Sequence, residues 1–437
     1  MYYRLRQHVN PNQYPHLGIC KNLQKADRFP IQRLEYIQLN ELNRLATHAQ
    51  QYSPFYKNRL KKHYNSLEDF YSNTAELKKT ELRDQLREIT THQLPSGAKI
   101  TGPIYSSGTT GVPVKVWQTN ITDAWFQALQ LRDLAWQKID ITQYLASIRY
   151  YPKSNYFHEG KIFNQWDSAI NEITPTGKAF VLSIECDLAD QMKALHRTSP
   201  DILISYPSNL QALIQRGRTL PSSIHTIKCF SEPVEKSLRN DLSNIVIHDT
   251  YSAMETGYLA STCEMGKLHI HSESVIVEVV DNNGKHCAPG QTGRVLVTCL
   301  HNYATPLIRY DIGDYATVGG SCGCEKSHPT LERIDGKLHP PFKLSNGKFK
   351  NSIELPIIVR KIGGYKQFQI IHTPTEVTFN FISSNSWNSE KQARIKKEFQ
   401  NFFEEQIPVT FNPVDRIPLH KGKLQRLITD FENNENV

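Results

Sequence analysis

The sequence predicts an α/β protein: a large N-terminal domain of stacked βαβ sheets with an appended β subdomain, followed by a small α+β C-terminal domain. Three observations carry this prediction. From about residue 100 to residue 330, short β-rich runs alternate with amphipathic helical stretches, as parallel strands joined by crossover helices require. Within that span "SVIVEVVDNNGKHCAPGQTGRVLVTCL" (274–300) has two alternating strands separated by Asn283-Gly284 and Gly290, which is turn chemistry for antiparallel pairing. Past "DGKLHPPFKLSNGK" (335–348), where prolines and glycines interrupt the pattern, a strand and helix pattern begins again.

The elements follow in order. Residues 31 to 100 read as mainly helical, because Leu42, Leu45, Ala46 and Ala49 share one helical face. "SPFYKNRLKK" (53–62) follows, with Ser53 placed to cap a next helix. "DILISYP" then "SNLQALIQRG", and "IHTIKCFS" then "EPVEKSLRNDL", are strand and helix pairs, and "NIVIHDTYS" is a further strand. In the C-terminal part Val377, Phe379 and Phe381 alternate along a strand, Ile395, Phe399 and Phe402 line a helix, and "PVTFNPV" gives another strand. We therefore expect a domain over 1–337, made of a helical lead-in (1–100), an α/β core (100–262) and a β subdomain (263–335), and a second domain over 338–437.

Composition excludes several function classes. With 437 residues, 39% hydrophobic and 22% charged, the chain has room for a large core. Its apolar runs are too short to cross a bilayer, and "MYYRLRQHVNPNQYP" has no apolar signal segment, so a cytoplasmic protein without membrane contact is expected. Eight cysteines are too sparse for a stapled secreted scaffold. The net charge is +8, but residues 341–437 hold 14 Lys+Arg against 10 Asp+Glu and form no basic tail. No nucleic-acid fingerprint is present, so the charge is read as a bias towards anionic small molecules.

The chemistry centres first on "IYSSGTTGVPVKV" (104–116). Gly108 and Gly111 enclose only Thr109 and Thr110, and no lysine follows directly, so this is not a Walker loop. It remains a turn whose backbone N–H groups can approach an anion, with Ser106, Ser107, Thr109 and Thr110 offering hydroxyls to phosphate.

Four segments in order, "SSGTTGVP" (106–113), "DTYSAMETG" (249–257), "RYDIGD" (309–314) and "IPLHKGKLQR" (417–426), resemble the core motifs of the adenylate-forming superfamily of acyl-CoA synthetases, nonribosomal-peptide adenylation domains and luciferases. Within it the chain is most similar to the phenylacetate-CoA ligase, CapK and coenzyme F390 synthetase group, on "SPFY", "SYPSNLQAL", "FSEP", "KLHIH", "PLIRYDIGD" and "CGC".

The resemblance implies the superfamily's fold, with a mobile C-terminal domain, and an ATP-dependent, AMP-forming carboxylic-acid ligase. Such an enzyme makes an acyl adenylate, here of an aryl or hydrophobic acid, and passes the acyl group to a thiol of CoA or of a carrier protein's phosphopantetheine. It implies that Glu255 binds Mg²⁺, that Tyr251 stacks near adenine with Ser231, Glu232 and Asp249 close by, and that Asp314 takes the ribose hydroxyls. Thr109 and Thr110 would contact phosphate, and Lys423, with Lys421 as a local competitor, would reach the carboxylate and α-phosphate. The acid pocket would use Trp125, Phe126, Tyr151, Tyr206, Pro207, Phe230 and Ala253. Cys263, His269, Cys322 and Cys324 would hold a structural zinc, with His271 and His328 as alternatives to His269. Partners are then ATP, a small carboxylic acid and a carrier protein, for a monomer or homodimer.

Three departures from the family pattern stand out. Val114 replaces the lysine that commonly follows the loop proline, Lys337 stands where the hinge arginine is usual, and only "NYFHEGKIFNQWDSAI" represents the glycine-rich aryl-pocket stretch. Amide formation with an amine acceptor, AMP transfer to a hydroxyl, and a degenerate nucleotide-binding protein are the alternative readings.

Overall fold

A computed structural model describes residues 2–7, 9–10, 13–106, 113–151, 159–214, 218–337, 342–343, 349–350, 354–373, 375–404, 407–420 and 423–429. The chain forms two compact units that interleave along the sequence: residues 1–142, 165–177 and 248–336 make the first, and residues 143–164, 178–247 and 337–437 the second. Residues 143–164 and 178–247 thus group with the C-terminal part. Long-range packing decides that grouping, and it leaves no local mark on the sequence.

The first unit opens with helices. Ile31–Tyr52 buries Leu34, Gln38, Leu42, Leu45, Ala46 and Ala49, the single stripe that a 3.6-residue period produces. No helix follows Ser53. The Pro54 ring disfavours helical backbone at the preceding residue, and Ser53 is extended (φ −115°, ψ 119°). Its hydroxyl donates to Glu88 O at 2.7 Å instead of capping, and residues 54–60 form turns that deliver Tyr56 and Leu60 to the core.

Strands of this unit run in the spatial order Val275–Val280, Thr292–Cys299, Tyr310–Val318, Thr330–Lys337, Leu268–Ile270, Gly257–Thr262 and Val246–Ala253. The first pair is antiparallel, Val275 opposite Cys299, and Gly284 adopts φ 79° in the turn region between them, as Asn-Gly chemistry expects. A separate hairpin, Ile100–Tyr105 with Lys115–Thr119, carries the Ser/Thr/Gly loop. Thr119 caps the helix Asn120–Trp136 that follows.

The second unit contains the parallel strands. Thr226–Phe230, Ile202–Ser205, Leu145–Arg149 and Ala179–Ser183 are neighbours in that order, with parallel pairing throughout, and Lys161–Phe163 closes the edge antiparallel. Leu203, Ile227, Ala146, Ile148 and Phe180 supply their buried side chains.

Residues 354–429 build their own layer in this unit. The sheet order is Val409–Pro413, Val377–Ser383, Tyr365–His372 and Leu427–Thr429, with Val377, Phe379 and Phe381 inward. Helix Ser389–Phe403, capped by Asn388, covers it with Ile395, Phe399 and Phe402. No helix among the described residues is long and apolar enough to cross a membrane.

Candidate functional site

In the first unit two sheet irregularities position the acidic residues. Strand Tyr310–Val318 pairs Tyr315 with Arg294 but Asp311 with Leu296, so residues 312–314 include two more than the partner strand supplies. Asp311 Oδ1 accepts the Gly313 N–H at 3.0 Å, and Gly313 sits at φ 79°, a conformation that suits glycine. This bulge presents Asp314. A second bulge lies between strands Val246–Ala253 and Gly257–Thr262, at Tyr251 and Ser252. Bulges re-aim side chains in this way.

The two re-aimed residues meet. Tyr251 Oη donates to Asp314 Oδ2 at 2.8 Å, with both residues buried. Burial first, and then the Asp314 charge, holds the Tyr251 phenol well above its ordinary pKa, so it remains a donor.

Glu255 occupies the three-residue loop Met254–Thr256, closed by Gly257 at φ 75°, a hairpin geometry in which glycine takes the left-handed position. Its carboxylate is buried, with Tyr310 Oη 3.5 Å from Oε1. Beside it lies a small recess open to solvent, with Trp125, Phe126, Glu255, Gly257, Tyr258 and Asn302 among its lining. Gln118, Thr122, Ser274, Cys299 and His301 complete the polar part of that wall. His301 stacks on Trp125 with centroids 3.7 Å apart, and burial lowers its pKa to about 4. Glu255 is the one acidic side chain among the described residues of this lining.

Trp125 and Phe126 line this recess, whereas Tyr151, Tyr206, Pro207, Phe230 and Ala253 are not among its lining residues. Tyr206 packs on Phe230 in the second unit, centroids 4.7 Å apart, and the Tyr151 hydroxyl accepts from Arg149 Nε at 3.0 Å. Ala253 pairs with Gly257 at the hairpin end. Sequence reasoning missed His301 and Asn302. Their signal was the polar pair placed directly after the apolar strand "VLVTCL".

Among the loop residues, Ser106 is buried at the neck, where its N–H donates to Val114 O at 2.9 Å and its Oγ accepts from Val114 N at 3.0 Å. Ser107, Gly108, Thr109, Thr110 and Gly111 lie outside the described residues. Lys115 turns to the Trp117 ring, its Nζ 4.0 Å from the centroid. Asp249 lies two residues before Tyr251 in the same strand, and its N–H donates to Thr262 Oγ1.

In the second unit Ser231 is exposed at φ 67°, turning the chain after strand Thr226–Phe230. Glu232 is buried, and its oxygens accept from Ser208 N, Ser208 Oγ and Leu424 N at 3.0, 3.0 and 2.7 Å. Burial pushes its pKa up, against the pull of those donors. Lys337 ends strand Thr330–Lys337, and Lys423 pairs with His420 in a short hairpin.

The cysteine and histidine cluster forms within the first unit. Ligand atoms of Cys263, His269, Cys322 and Cys324 all lie within 4.8 Å of one another. Cys263 Sγ is 3.7 Å from Cys322 Sγ, and Cys324 Sγ is 3.3 Å from His269 Nε2. Metal bonds of about 2.3 Å to sulfur and about 2.0 Å to nitrogen give tetrahedral edges of roughly 3.5–3.8 Å. His269 Nδ1 donates to His328 O at 2.9 Å, leaving the Nε2 lone pair to face the thiols, the usual orientation for a ligand imidazole. His271 and His328 lie outside the quartet: His271 Nε2 is 2.9 Å from Ser261 Oγ, and His328 Nε2 is 3.0 Å from Glu273. The residues fit a tetrahedral metal.

No family model matches the chain, and no curated protein matches it. Solved structures do. A 2-hydroxyisobutyryl-CoA ligase in the postadenylation state, in complex with R3-HIB-AMP, superposes with a TM-score of 0.69 at 18% identity over 94% of this chain and 92% of that chain. An open conformation of the same ligase with 2-HIB-AMP and CoA gives a TM-score of 0.61 at 18% identity over 93% and 94%. ATP-bound MatB from Rhodopseudomonas palustris gives 0.51 at 14% identity over 77% of this chain and 68% of that one.

The fold is that of the adenylate-forming CoA ligases. In this adenylate-forming fold the acidic pair of bulges and the recess beside Glu255 belong to the first unit, and the Lys423 hairpin belongs to the second.

Proposed function

We propose that the protein is an ATP-dependent, AMP-forming carboxylic-acid ligase that makes an acyl adenylate and transfers the acyl group to a thiol, CoA or phosphopantetheine. The observation that carries this reading is the buried Tyr251–Asp314 bond next to Glu255, built by two bulges in a fold shared with a ligase solved with acyl adenylates. In this reading Asp314 accepts from the ribose hydroxyls, and the buried Tyr251 ring faces adenine. Glu255 holds Mg²⁺, which offsets phosphate charge when bound, and the 106–111 loop cradles phosphate.

The acid's carboxylate attacks the α-phosphorus, the bond to the bridging oxygen breaks, and pyrophosphate leaves. Lys423 neutralises charge developing between the two anions. The acid's remaining part enters the recess between Trp125, Phe126 and Tyr258. Because His301 is neutral there, an acid whose remaining part is uncharged and makes polar and aromatic or aliphatic contacts suits the recess. Cys263, His269, Cys322 and Cys324 hold one structural zinc.

Pyrophosphate exchange into ATP, measured without thiol across aryl, fatty, hydroxy and amino acids, tests the reading. Exchange with one acid class is expected. None with any class, despite ATP binding, refutes it. Lys423→Ala should lower exchange by orders of magnitude and leave the ATP dissociation constant nearly unchanged; equal exchange removes this lysine from the reaction.

A further inference from the structure

Two carboxylates three positions apart share one task in the second unit. Glu232 and Glu235 lie between strand Thr226–Phe230 and helix Lys236–Asp241. Glu232 Oε1 accepts the Leu424 N–H at 2.7 Å, while both its oxygens are anchored by Ser208. The Glu235 carboxylate stands 2.9 Å from the Arg426 guanidinium, with side chains 18% and 12% exposed. Residues 424–426 lead directly out of the hairpin in which Lys423 pairs with His420.

The hairpin's exit is fixed separately. Ile370 N–H donates to Arg426 O at 2.8 Å, and Gln369 Nε2 donates to Gln425 O at 2.9 Å. Those bonds tie the chain to its own sheet, whereas Glu232 and Glu235 grip it from residues 230–235. A buried carboxylate is costly unless its oxygens are satisfied, and a neutral side chain would fill the same space. Glu232 nonetheless spends an oxygen on a main-chain N–H next to Lys423. Such a bond depends on where the backbone runs, not on which side chain residue 424 carries.

We propose that Glu232 and Glu235 form a clasp that fixes the Lys423 hairpin, so that Glu232 is a positioning residue acting through Lys423 in the adenylation step. The role rests on the reading of Lys423 as the adenylation lysine. In that reading the hairpin is withdrawn during thiol transfer, so the clasp favours the first half-reaction over the second.

The full-length protein tests this with Glu232→Ala, Glu232→Gln and Glu235→Gln. Amide hydrogen exchange over residues 419–429 reports the clasp without reference to activity, and is expected to speed up in Glu232→Ala and Glu235→Gln. Pyrophosphate exchange should fall about 10- to 100-fold in Glu232→Ala, as loss of a hydrogen bond to a charged acceptor implies. Transfer from a synthetic acyl adenylate to CoA should fall by a clearly smaller factor. Glu232→Gln keeps one amide oxygen for the Leu424 N–H and should recover part of the loss.

Unchanged hydrogen exchange in both Glu232→Ala and Glu235→Gln overturns the clasp. Loosening with both half-reactions reduced by the same factor overturns the positioning role, since a general loss of structure would do that. A wild-type protein that adenylates no acid, yet whose hairpin loosens in both variants, refutes the adenylation reading and upholds the clasp. If Glu232→Ala fails to fold, the partly exposed Glu235→Gln decides by the same readings.

Discussion

In the proposed reading, Tyr251 makes the contact on which nucleotide binding turns. Its hydroxyl is the described donor to Asp314 in a region from which water is largely excluded. In Tyr251→Phe the ring and its packing persist, while Asp314 loses that donor and its orientation. A bond to a charged acceptor contributes about 1.5–3 kcal/mol, so the ATP KM in the exchange assay should rise by roughly tenfold or more, with the acid KM little changed. An unchanged ATP KM would separate this pair from nucleotide binding. His301 gives a residue-scale prediction of another kind. Its pKa falls from the usual 6.5 to about 4 on burial, and Glu41 Oε2, whose own pKa burial raises, lies 3.9 Å from its Nδ1. Below pH 6.5 the unfolded chain takes up a proton that the folded one refuses until about pH 4. The His301 contribution is therefore complete above pH 6.5 and is lost as pH falls to about 4, by at most about 3 kcal/mol. Urea unfolding at pH 7.5 and pH 4.5 should show a smaller loss in His301→Gln than in the wild type. Equal losses would mean that His301 is already protonated in the fold.

At the scale of elements, the metal quartet joins three pieces of chain: the turn after strand Gly257–Thr262, strand Leu268–Ile270 and the loop carrying Cys322 and Cys324. Removing a tetrahedral metal from such a junction leaves thiols close together with nothing between them, and metal binding is coupled to folding. The purified protein should contain about one zinc per chain. Chelation should lower its melting temperature, and Cys322→Ser with Cys324→Ser should abolish zinc retention. Full zinc content in the double variant would refute these ligands. The same neighbourhood shows what a sequence reveals. Cys322-Gly323-Cys324 is visible as a local spacing, and His269 could be singled out by its position near Cys263. The choice between His269, His271 and His328 depends on which imidazole nitrogen faces the thiols. The His269 Nδ1 bond to His328 O, which turns Nε2 towards Cys324, has no trace in that spacing.

Across the whole molecule, legibility follows the range of the forces involved. Periodic patterns such as Leu42, Leu45, Ala46 and Ala49, or Val377, Phe379 and Phe381, report burial through local spacing and can be read directly. The missing helix after Ser53, the bulges at Tyr251 and Asp314 and the grouping of residues 143–247 with the C-terminal part depend on partners far along the chain. His301, which lines the recess beside Glu255, left no trace in the sequence reading, because burial of a polar residue after a strand has no periodic signature. The separate cores have a consequence for unfolding. Leu355, Phe368, Phe379, Phe399 and Leu427 belong to one cluster, while Ile148, Phe180, Leu203 and Ile227 belong to another within the same unit. Chains with several cores need not unfold in one step. Phe379 stacks near Phe368, Phe381 and Trp387, with centroids 5.9, 5.5 and 6.2 Å away, and it is fully buried. Phe379→Ala should cost about 3–5 kcal/mol, all of it within the 354–429 layer. Hydrogen exchange should then rise across strands Tyr365–His372 and Val377–Ser383 while strands Leu145–Arg149 and Ile202–Ser205 keep their protection. Equal loss in both groups would mean that the two cores unfold as one.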